Sequence, residues 1–339
     1  MGLYLDSGYA DQESLITSAP TFTFEIGGRG TGKTYGALLY LLQRPRVNKF
    51  IYLRRTQIEA DLISNDYANP FKKVSSDHPG RWDISFKKNG KEYYLIFDGD
   101  DLIGYSAALS TFANIRGIDF SDVDIILYDE FIPQKGSRPV KEEFDKFRNL
   151  YESINRNREL EGQEPVKVFS MANSNDIANP IFMGLEIVNR IGKMVKTKTA
   201  IWTDPERGLR VIMLQDSPIS KKKRLTALYR LGSGSSEYDE MALENVFSYD
   251  QSAIASRSLK EYRPLVSIGE LVIHKHKSRQ EYYVNCHASG TVKYEKYKIT
   301  DKDIERFIAK YNYIYFRYLS NNLLFEDPAS MVIFEKIFK

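Results

Sequence analysis

The sequence has few of the residues that build disulfides and zinc sites. Cys286 is its one cysteine, which excludes an internal disulfide. Of its four histidines, His274 and His276 alternate in a strand-like run. So small a set of sulfur and imidazole ligands disfavours a structural zinc site. We expect both histidines to lie on the surface.

Long apolar segments and low-complexity tracts are absent as well. The longest apolar runs are far too short to cross a bilayer, and the first residues lack the basic flank and apolar core of a secretory signal. We therefore expect no membrane partner and a protein that stays in the compartment where it is made. With 42% hydrophobic and 13% aromatic residues, the chain is typical of an ordered globular protein.

Charge is nearly balanced, with a formal net charge of +3, but the positive residues are clustered. One basic run covers Lys221–Arg224, and Lys87, Lys88 and Lys91 form another group. Such runs can contact a phosphate backbone, although short basic runs are more often solvated surface. The ligand of the run at 221–224 therefore stays open among DNA, RNA and a protein partner.

The 339 residues exceed what one hydrophobic core normally organises, which predicts two domains. Short apolar strands alternate with helical stretches up to about residue 216, a pattern typical of an α/β sheet covered by helices on both faces. For this first domain, 1–216, we predict strands at 22–26, 50–53, 123–128 and 166–171, helices at 33–42 and about 141–160, and an antiparallel hairpin at 82–87 and 91–97.

The composition changes after residue 216. Residues 217–258 are rich in Lys, Ser and Gly, include the segment Gly232–Ser236, and predict an interdomain linker with short helices. Residues 259–339 predict a small α+β domain, with strand-like runs at 264–275, 281–287 and 291–299 and a helix from Asp301.

A glycine-rich loop follows the first predicted strand and precedes the first predicted helix. It has the spacing of a phosphate-binding P-loop, in which glycines let backbone N–H groups surround the phosphates. Lys33 would neutralise the β/γ-phosphate charge and Thr34 would ligate Mg²⁺, beside a helix N-terminus that favours anions. We therefore predict that ATP-type nucleotides bind and are hydrolysed here, with contacts from Gly27, Gly28, Arg29, Gly30, Thr31, Gly32, Lys33 and Thr34.

A second part of this site is an apolar strand that ends in two carboxylates, Asp129 and Glu130. Ligands of open α/β sheets bind at the carboxyl ends of strands. We predict that Asp129 holds Mg²⁺ and that Glu130 activates the attacking water. A strand followed by Asp-Glu is common by itself, but together with a P-loop it distinguishes a hydrolase from a simple nucleotide binder.

Three further groups are candidates whose structural alternatives stay open. Asn173 ends the next strand and either contacts the γ-phosphate or orients water, or simply forms a turn. Arg156 and Arg158 end a charged helix, where an arginine can serve a neighbouring subunit's nucleotide or favour the helix dipole. Arg116 and Arg29 can each contact phosphate or DNA, and Arg116 is equally compatible with a plain surface position.

Several stretches stand in the order and at the intervals of one known family. They are the P-loop GGRGTGKT, FIYLRR at 50–55, ILYDEF at 126–131, NRNRE at 155–159, and Ala172-Asn173 followed by Asn179-Pro180. With them the first two hundred residues resemble the DNA-packaging ATPases of small podophages, the Salasvirus-type encapsidation proteins, which are related to large terminases. The resemblance implies a P-loop NTPase fold of the ASCE class, like RecA and the terminases, and is weaker beyond the linker.

The resemblance also implies an assembly and a process. It implies a homo-oligomeric ring of five subunits at the portal of an empty procapsid in the host cytoplasm, where ATP drives double-stranded DNA inward. Arg158, in preference to Arg156, would act in trans on the nucleotide of the neighbouring subunit. Arg116 would lie in a loop that faces the DNA channel. A structural RNA in the assembly stays open, as does the portal as a ligand of the basic run. Relatives have a lysine soon after the paired arginines, where this chain has Thr56-Gln57, so that role is in doubt here.

For the C-terminal domain the resemblance implies a degenerate nuclease of the RNase H type. Such nucleases cluster carboxylates on central strands to hold two metals. Residues 265–268 offer none, and Glu270 and Glu281 are isolated. We therefore predict no nuclease activity.

Two other functions fit the same motifs. A helicase or RecA-like DNA-dependent ATPase shares the P-loop, the Asp-Glu pair and the trans arginine, but it unwinds DNA instead of moving an intact duplex. A regulatory nucleotide-binding scaffold would bind ATP and turn it over negligibly without a partner. Strand separation and DNA-stimulated turnover distinguish both from a packaging motor.

Overall fold

The structure, a computed structural model, describes residues 2–43, 48–67, 69–134, 137, 139–174, 176–223, 225–227, 253–287 and 293–338. Most of the predicted linker, including Gly232–Ser236, lies outside these residues. The chain divides into two compact units, Met1–Asn175 with Lys198–Val246, and Asp176–Thr197 with Phe247–Lys339. Residues 176–197 therefore group with the second unit, whereas the predicted limits of 1–216, 217–258 and 259–339 place them in the first domain.

Among its described residues, the first unit contains nine strands in one sheet. They are β1 (Phe22–Gly27), β2 (Lys49–Arg54), β3 (Ile84–Asn89), β4 (Tyr93–Asp98), β5 (Asp101–Ala108), β6 (Val123–Asp129), β7 (Lys167–Asn173), β8 (Ile201–Asp204) and β9 (Leu209–Leu214). Their order is β3-β4-β5-β2-β6-β7-β1-β9-β8. The six central strands are parallel, in the order β5-β2-β6-β7-β1-β9. Antiparallel pairs extend the sheet at its two edges, with β4 and β3 beyond β5 and with β8 beyond β9.

The order of the central strands brings the predicted site residues to one edge. β7 lies between the P-loop strand β1 and the acidic strand β6. Gly27 is in register with Asn173, and Asp129 with Met171. Because parallel strands end at the same edge of a sheet, the P-loop, Asn173 and Asp129 meet there.

Helices cover both faces of the sheet, as predicted. The first unit has α1 (Gln12–Thr17), α2 (Lys33–Gln43), α3 (Gln57–Ile63), α4 (Phe71–Asp77), α5 (Glu143–Asn155) and α8 (Pro218–Lys223). Leu38 of α2 belongs to a buried cluster with Leu127 of β6. The next residue, Tyr128, points to the other face, since side chains alternate along a strand. Its ring stacks on Phe147 of α5 with centroids 6.1 Å apart.

Two local predictions in the first unit have different outcomes. The hairpin is confirmed as β3 and β4, with Gly90 at a φ of +70° in its turn. The charged helix predicted at about 141–160 is too long, because α5 ends at Asn155 and Arg156 has a φ of +48°. A positive φ lies outside the right-handed helical region of an L-residue. Arg156 and the 3₁₀ turn Arg158–Glu161 therefore lie beyond the helix.

The second unit is a small α+β fold, as predicted. Its strands β10 (Tyr262–Ile268), β11 (Leu271–His276), β12 (Tyr282–Asn285), β13 (Glu295–Tyr297) and β14 (Leu323–Phe325) form a sheet in the order β13-β10-β11-β12-β14. β10, β11 and β12 form an antiparallel meander. The predicted strand-like run 291–299 contains β13, which pairs in parallel with β10, and β14 pairs in parallel with β12. The helices are α6 (Pro180–Gly184), α7 (Val188–Thr197), α9 (Asp301–Leu319) and α10 (Pro328–Phe338). Across the described residues, no helix is long and apolar enough to span a membrane.

Polar contacts and close packing attach α7 to this unit. The carboxylate of Glu270 accepts the N–H groups of Val188 at 2.8 Å and Asn189 at 3.2 Å, at the start of α7. A Cβ on Gly192 would lie 2.9 Å from that of Ala329 in α10, so the two helices approach closely there. These contacts are the reason that residues 176–197 belong with the C-terminal sheet.

Two predictions for the second unit are wrong. The run 264–275 is not one strand, because Gly269, at a φ of +51°, turns the chain between β10 and β11. His274 and His276 are not on the surface, since they are only 0% and 6% exposed. His274 Nε2 is 3.0 Å from Oδ1 of Asn285. β11 is the middle strand of five, so alternate positions are buried on both of its faces.

Candidate nucleotide site

The P-loop follows β1 at the carboxyl edge of the sheet and leads into α2. Gly30 and Gly32 have φ angles of +73° and +88°, which glycine adopts without strain. Gly27 has no space for a side chain, because a Cβ there would lie 2.9 Å from Cβ of Leu214. Thr31 closes the loop by donating from Oγ1 to the Gly28 carbonyl at 3.1 Å. The glycines thus allow the tight loop whose N–H groups can surround a phosphate.

Lys33 is folded back onto the loop that precedes it. Its Nζ donates to the carbonyls of Gly27 at 3.0 Å and Gly28 at 2.9 Å, and lies 3.4 Å from Oδ1 of Asn173. Burial lowers the pKa of Lys33 to about 8, against the opposing charge of Glu25. A bound phosphate would favour the charged ammonium, because it brings a further negative partner.

Glu25 is a functional-site neighbour that sequence patterns did not mark. It lies in the middle of β1 and is fully buried, and its Oε1 accepts a hydrogen bond from Nε2 of Gln12 at 2.6 Å. Burial raises the pKa of Glu25 to about 7, and the ammonium of Lys33 opposes that rise. The only signal in the sequence was a single acidic residue inside an apolar strand.

Thr34 and Asp129 form the predicted magnesium side of the site. Thr34 Oγ1 is 3.1 Å from Oδ2 of Asp129, and the hydroxyl of Tyr52 donates to the same oxygen at 2.8 Å. Burial raises the pKa of Asp129, while the nearby guanidinium of Arg54 opposes this. Mg²⁺ in nucleotide sites takes one or two protein oxygens together with phosphate oxygens and water. A hydroxyl and a carboxylate side by side next to the P-loop fit that requirement.

Arg54 joins the two carboxylates at the end of β6. Its Nη2 donates to Oε2 of Glu130 at 2.7 Å, and its Nη1 lies 3.3 Å from Oδ2 of Asp129. Glu130 itself has a φ of +56°, a conformation that L-residues adopt only where their surroundings hold it. The structure therefore places Arg54 where it controls the orientation of the predicted catalytic glutamate.

The second of the paired arginines has a different partner. Arg55 donates from Nε and Nη2 to the two carboxylate oxygens of Glu143, at 2.7 and 2.8 Å. Both side chains are buried, so this two-bond ion pair ties β2 to the start of α5. The motif FIYLRR thus combines one arginine at the carboxylates of the site with one that supports the fold.

Arg158 lies at the opposite end of β6 from the P-loop. Its Nη1 is 3.5 Å from Oδ1 of Asp124, and its Nη2 donates to the carbonyl of Ser121. Asp124 precedes Asp129 by five residues in β6, which corresponds to about 17 Å in an extended strand. Arg158 is therefore not part of the nucleotide site of its own subunit.

Arg156 and Arg116 contact the same surface loop. Arg116 is exposed after the 3₁₀ turn Phe112–Ile115, and its Nε donates to the carbonyl of Ala113 at 3.2 Å. Arg156 Nη2 donates to the carbonyl of Ile118, in the same loop, at 3.1 Å. The structure thus gathers Lys33, Thr34, Asp129, Glu130 and Asn173 at the P-loop and leaves Arg116, Arg156 and Arg158 outside it.

Comparison with known proteins agrees with this architecture. The family model described as Podovirus DNA encapsidation protein (Gp16) matches residues 5–322. The DNA packaging protein of Bacillus phage phi29 is 28% identical over 264 residues, which cover 77% of this chain and 72% of that protein. The DNA packaging protein of Bacillus phage PZA matches to the same extent.

Two solved structures share the fold over almost the whole chain. The bacteriophage Phi-29 viral genome packaging motor assembly has a TM-score of 0.65 at 22% identity and covers 99% of both chains. The Phi-28 gp11 DNA packaging motor has a TM-score of 0.63 at 19% identity and covers 98% of both. The resemblance predicted from the motifs is confirmed, and the chain belongs to the podovirus DNA encapsidation protein (Gp16) family.

Proposed function

We propose that this protein is an ATP-hydrolysing motor that moves double-stranded DNA into an empty viral capsid. The observation that carries the proposal is the convergence of the P-loop lysine, the Thr34–Asp129 pair and Glu130 at one edge of the sheet. A phosphate loop alone would support only nucleotide binding, whereas an acidic residue beside the magnesium ligands supports hydrolysis. Membership of the DNA encapsidation family supports DNA packaging as the process that uses this hydrolysis.

In the proposed reaction, the loop N–H groups and Lys33 would bind the phosphates of ATP, and Thr34 and Asp129 would hold Mg²⁺. The metal ion supplies neutralisation of the charge on the β- and γ-phosphates. Glu130 orients and activates the attacking water, which requires that its carboxylate first leave Arg54. The contact between Oδ1 of Asn173 and Nζ of Lys33 at 3.4 Å supports a role of Asn173 in contacting the γ-phosphate or orienting the water.

We further propose that an arginine of the neighbouring subunit completes each site. The position of Arg158 at the far end of β6 supports a role in trans and gives none in cis. Arg158 would have to leave Asp124 and the Ser121 carbonyl in order to act. Arg156, whose side chain is 49% exposed, would likewise have to leave Asp119 and the carbonyls of Ile118 and Ser153. Both arginines are therefore tested below.

The remaining partners follow from the same proposal. The relatives are a DNA packaging protein and packaging motors, which supports work within a packaging assembly. From the resemblance we propose that this assembly is a ring of five identical subunits at the portal of a procapsid in the host cytoplasm. Arg116 is exposed on a loop and is proposed to contact the backbone of double-stranded DNA. Such contacts are nearly independent of sequence and weaken steeply with salt. Whether a structural RNA takes part is left to reconstitution with and without RNA.

We propose that the second unit lacks nuclease activity. Glu270 is engaged with the N-terminus of α7, and Glu281 accepts a hydrogen bond from the hydroxyl of Tyr262. Neither carboxylate is therefore free to join a two-metal site of the kind that nucleases use. Incubation of the protein with plasmid DNA and Mn²⁺ should leave the plasmid intact.

A mixing experiment tests the motor and the trans arginine together. ATP turnover is measured with and without duplex DNA, over a range of protein concentrations, for wild type, Glu130→Gln, Arg156→Ala and Arg158→Ala. We expect turnover that rises with duplex and with concentration, and loss of turnover in Glu130→Gln and in one arginine variant. Mixing these two inactive variants should restore turnover, because some interfaces then combine an intact Glu130 with an intact arginine.

Other results would favour the alternatives. A helicase or RecA-like ATPase would separate the strands of a forked duplex, and a scaffold would bind ATP without DNA-stimulated turnover. Turnover that ignores both duplex and concentration, with both arginine variants fully active, would reduce the proposal to an ATPase without motor function.

A further inference from the structure

Lys223, in the basic run Lys221–Arg224, does not point into solvent. It ends α8, and its Nζ donates to the backbone carbonyl of Arg29 at 2.6 Å. A Cβ built on Gly30 would lie only 2.0 Å from the same nitrogen. The ammonium of Lys223 therefore lies directly against the middle of the P-loop of its own subunit.

The N-terminal segment of the chain connects α8 to the P-loop. A Cβ on Gly8 would lie 3.0 Å from Cβ of Pro218, the first residue of α8. Two residues later, the N–H of Ala10 donates to the carbonyl of Thr31 in the P-loop at 2.9 Å. Packing on both sides of this segment therefore sets where α8, and with it Lys223, is placed.

The surroundings of Lys223 are positively charged. Within the part of the chain that the structure describes, no carboxylate forms an ion pair with Lys223. Burial, and then the positive charge of Arg29, lower the pKa of Lys223. The charge of Lys223 also acts on Lys33, whose pKa it lowers. Among the described residues, Lys223 and Arg29 lie together and neither forms an ion pair with a carboxylate, an arrangement that favours a polyanion between them.

We propose that Lys223 binds the triphosphate of the nucleotide in cis, from its position against Arg29 and Gly30 in the middle of the P-loop. The proposal rests on the nucleotide binding proposed above and assigns one residue of the basic run to ATP instead of DNA, RNA or the portal. The flexible four-carbon stem of a lysine lets Nζ move from the Arg29 carbonyl to a phosphate oxygen while α8 stays in place. Exchange of a neutral acceptor for a charged one strengthens the hydrogen bond.

Lys222 provides a matched control. It precedes Lys223 in α8 and carries the same charge, but it is exposed. A general effect of positive charge on α8, or binding of DNA by the whole run, would therefore be seen in both lysines. A specific contact with the nucleotide would be seen in Lys223 alone.

The test compares full-length wild type with Lys223→Gln, Lys223→Arg, Lys222→Gln and Lys33→Ala. A fluorescent ATP analogue is displaced by ATP, AMP or inorganic tripolyphosphate in the presence of Mg²⁺, and circular dichroism verifies the fold of each variant. We expect Lys223→Gln to weaken the binding of ATP and of tripolyphosphate about tenfold or more, as expected for the loss of a charge-assisted hydrogen bond. AMP binding should be unchanged, Lys223→Arg should retain most of the affinity, and Lys222→Gln should match wild type.

The outcomes distinguish this inference from the proposed function. If Lys33→Ala no longer binds ATP while Lys223→Gln binds it with wild-type affinity, the role of Lys223 is refuted and the proposed nucleotide site at the P-loop is retained. Equal losses in Lys222→Gln and Lys223→Gln would refute it as well, because the effect would then be one of general charge. If wild type itself binds no ATP, the proposed nucleotide site fails first.

Discussion

Replacement of Arg54 tests how the acidic end of β6 works. Arg54 is the cation between Asp129 and Glu130 and is only 8% exposed. With an effective dielectric constant of about 20, its contacts at 3.3 and 2.7 Å correspond to about 5 and about 6 kcal/mol of attraction before desolvation. Loss of one partner of a buried ion pair usually costs about 3 to 5 kcal/mol. Tyr52 still bonds to Asp129, so we expect Arg54→Gln to lower the free energy of unfolding by about 3 kcal/mol.

A second consequence of Arg54→Gln concerns pH. Burial raises the pKa of Asp129, and Arg54 is the nearby charge that opposes this. Without Arg54 the pKa of Asp129 should rise further, so the carboxylate is protonated at a higher pH. Mg²⁺ needs the ionised carboxylate. The acid limb of the ATP turnover profile should therefore move to higher pH in this variant.

Arg55→Gln is the matched control for this experiment. It removes the neighbouring arginine and leaves Glu143 as a buried carboxylate without its two-bond partner, so a loss of stability of similar size is expected. Arg55 does not contact the carboxylates at the P-loop, and its variant should keep the wild-type acid limb. Urea unfolding and turnover from about pH 5 to about pH 9 measure both effects. Superimposable acid limbs in the two variants would refute the role given to Arg54.

Three further predictions are more local. Burial raises the pKa of Glu25 from 4.5 to about 7, so the free energy of unfolding should fall as pH rises between these values. Glu25→Gln should remove up to about 3 kcal/mol of that dependence in urea titrations. Thr34→Val should raise the Mg²⁺ concentration for half-maximal turnover about tenfold or more, since the hydroxyl ligand is lost. Gly104→Ala should destabilise the folded protein by about 2 kcal/mol in thermal unfolding, because the new Cβ would lie 2.7 Å from the Phe50 carbonyl oxygen. Gly117→Ala is the control and should leave the stability unchanged, because a Cβ there meets no atom within 4 Å.

The parts of the site that the sequence could predict are those in which chemistry and local conformation coincide. The P-loop needs glycine where the backbone is left-handed, and it needs Lys33 and Thr34 at the start of a helix, so spacing alone identifies it. Asp129 and Glu130 follow an apolar strand, and the parallel sheet then brings them to the loop. Each of these predictions depends on a few consecutive residues and on one general property of parallel sheets.

Contacts between distant segments could not be predicted in this way. The role of Arg54 depends on the adjacency of β2 and β6 in the sheet, which no local pattern specifies. Lys223 belongs to a basic run whose ligand the sequence leaves open, and only the packing of α8 places it at the P-loop. The error at His274 has a related cause, since alternation indicates a strand but not whether that strand is central in its sheet. Long-range placement therefore determines which charged residues serve the site.

The arrangement along β6 bears on how hydrolysis and DNA movement could be coupled. The nucleotide site lies at the carboxyl end of this strand, and Arg156 and Arg158 lie near its amino end, where they bond to the carbonyls of Ile118 and Ser121. The same loop carries Arg116. An arginine drawn to the nucleotide of a neighbouring subunit would have to release this loop, because a guanidinium cannot keep both partners. The loop proposed to contact DNA would then respond to the nucleotide state of the adjacent subunit, which is the communication that a ring motor requires.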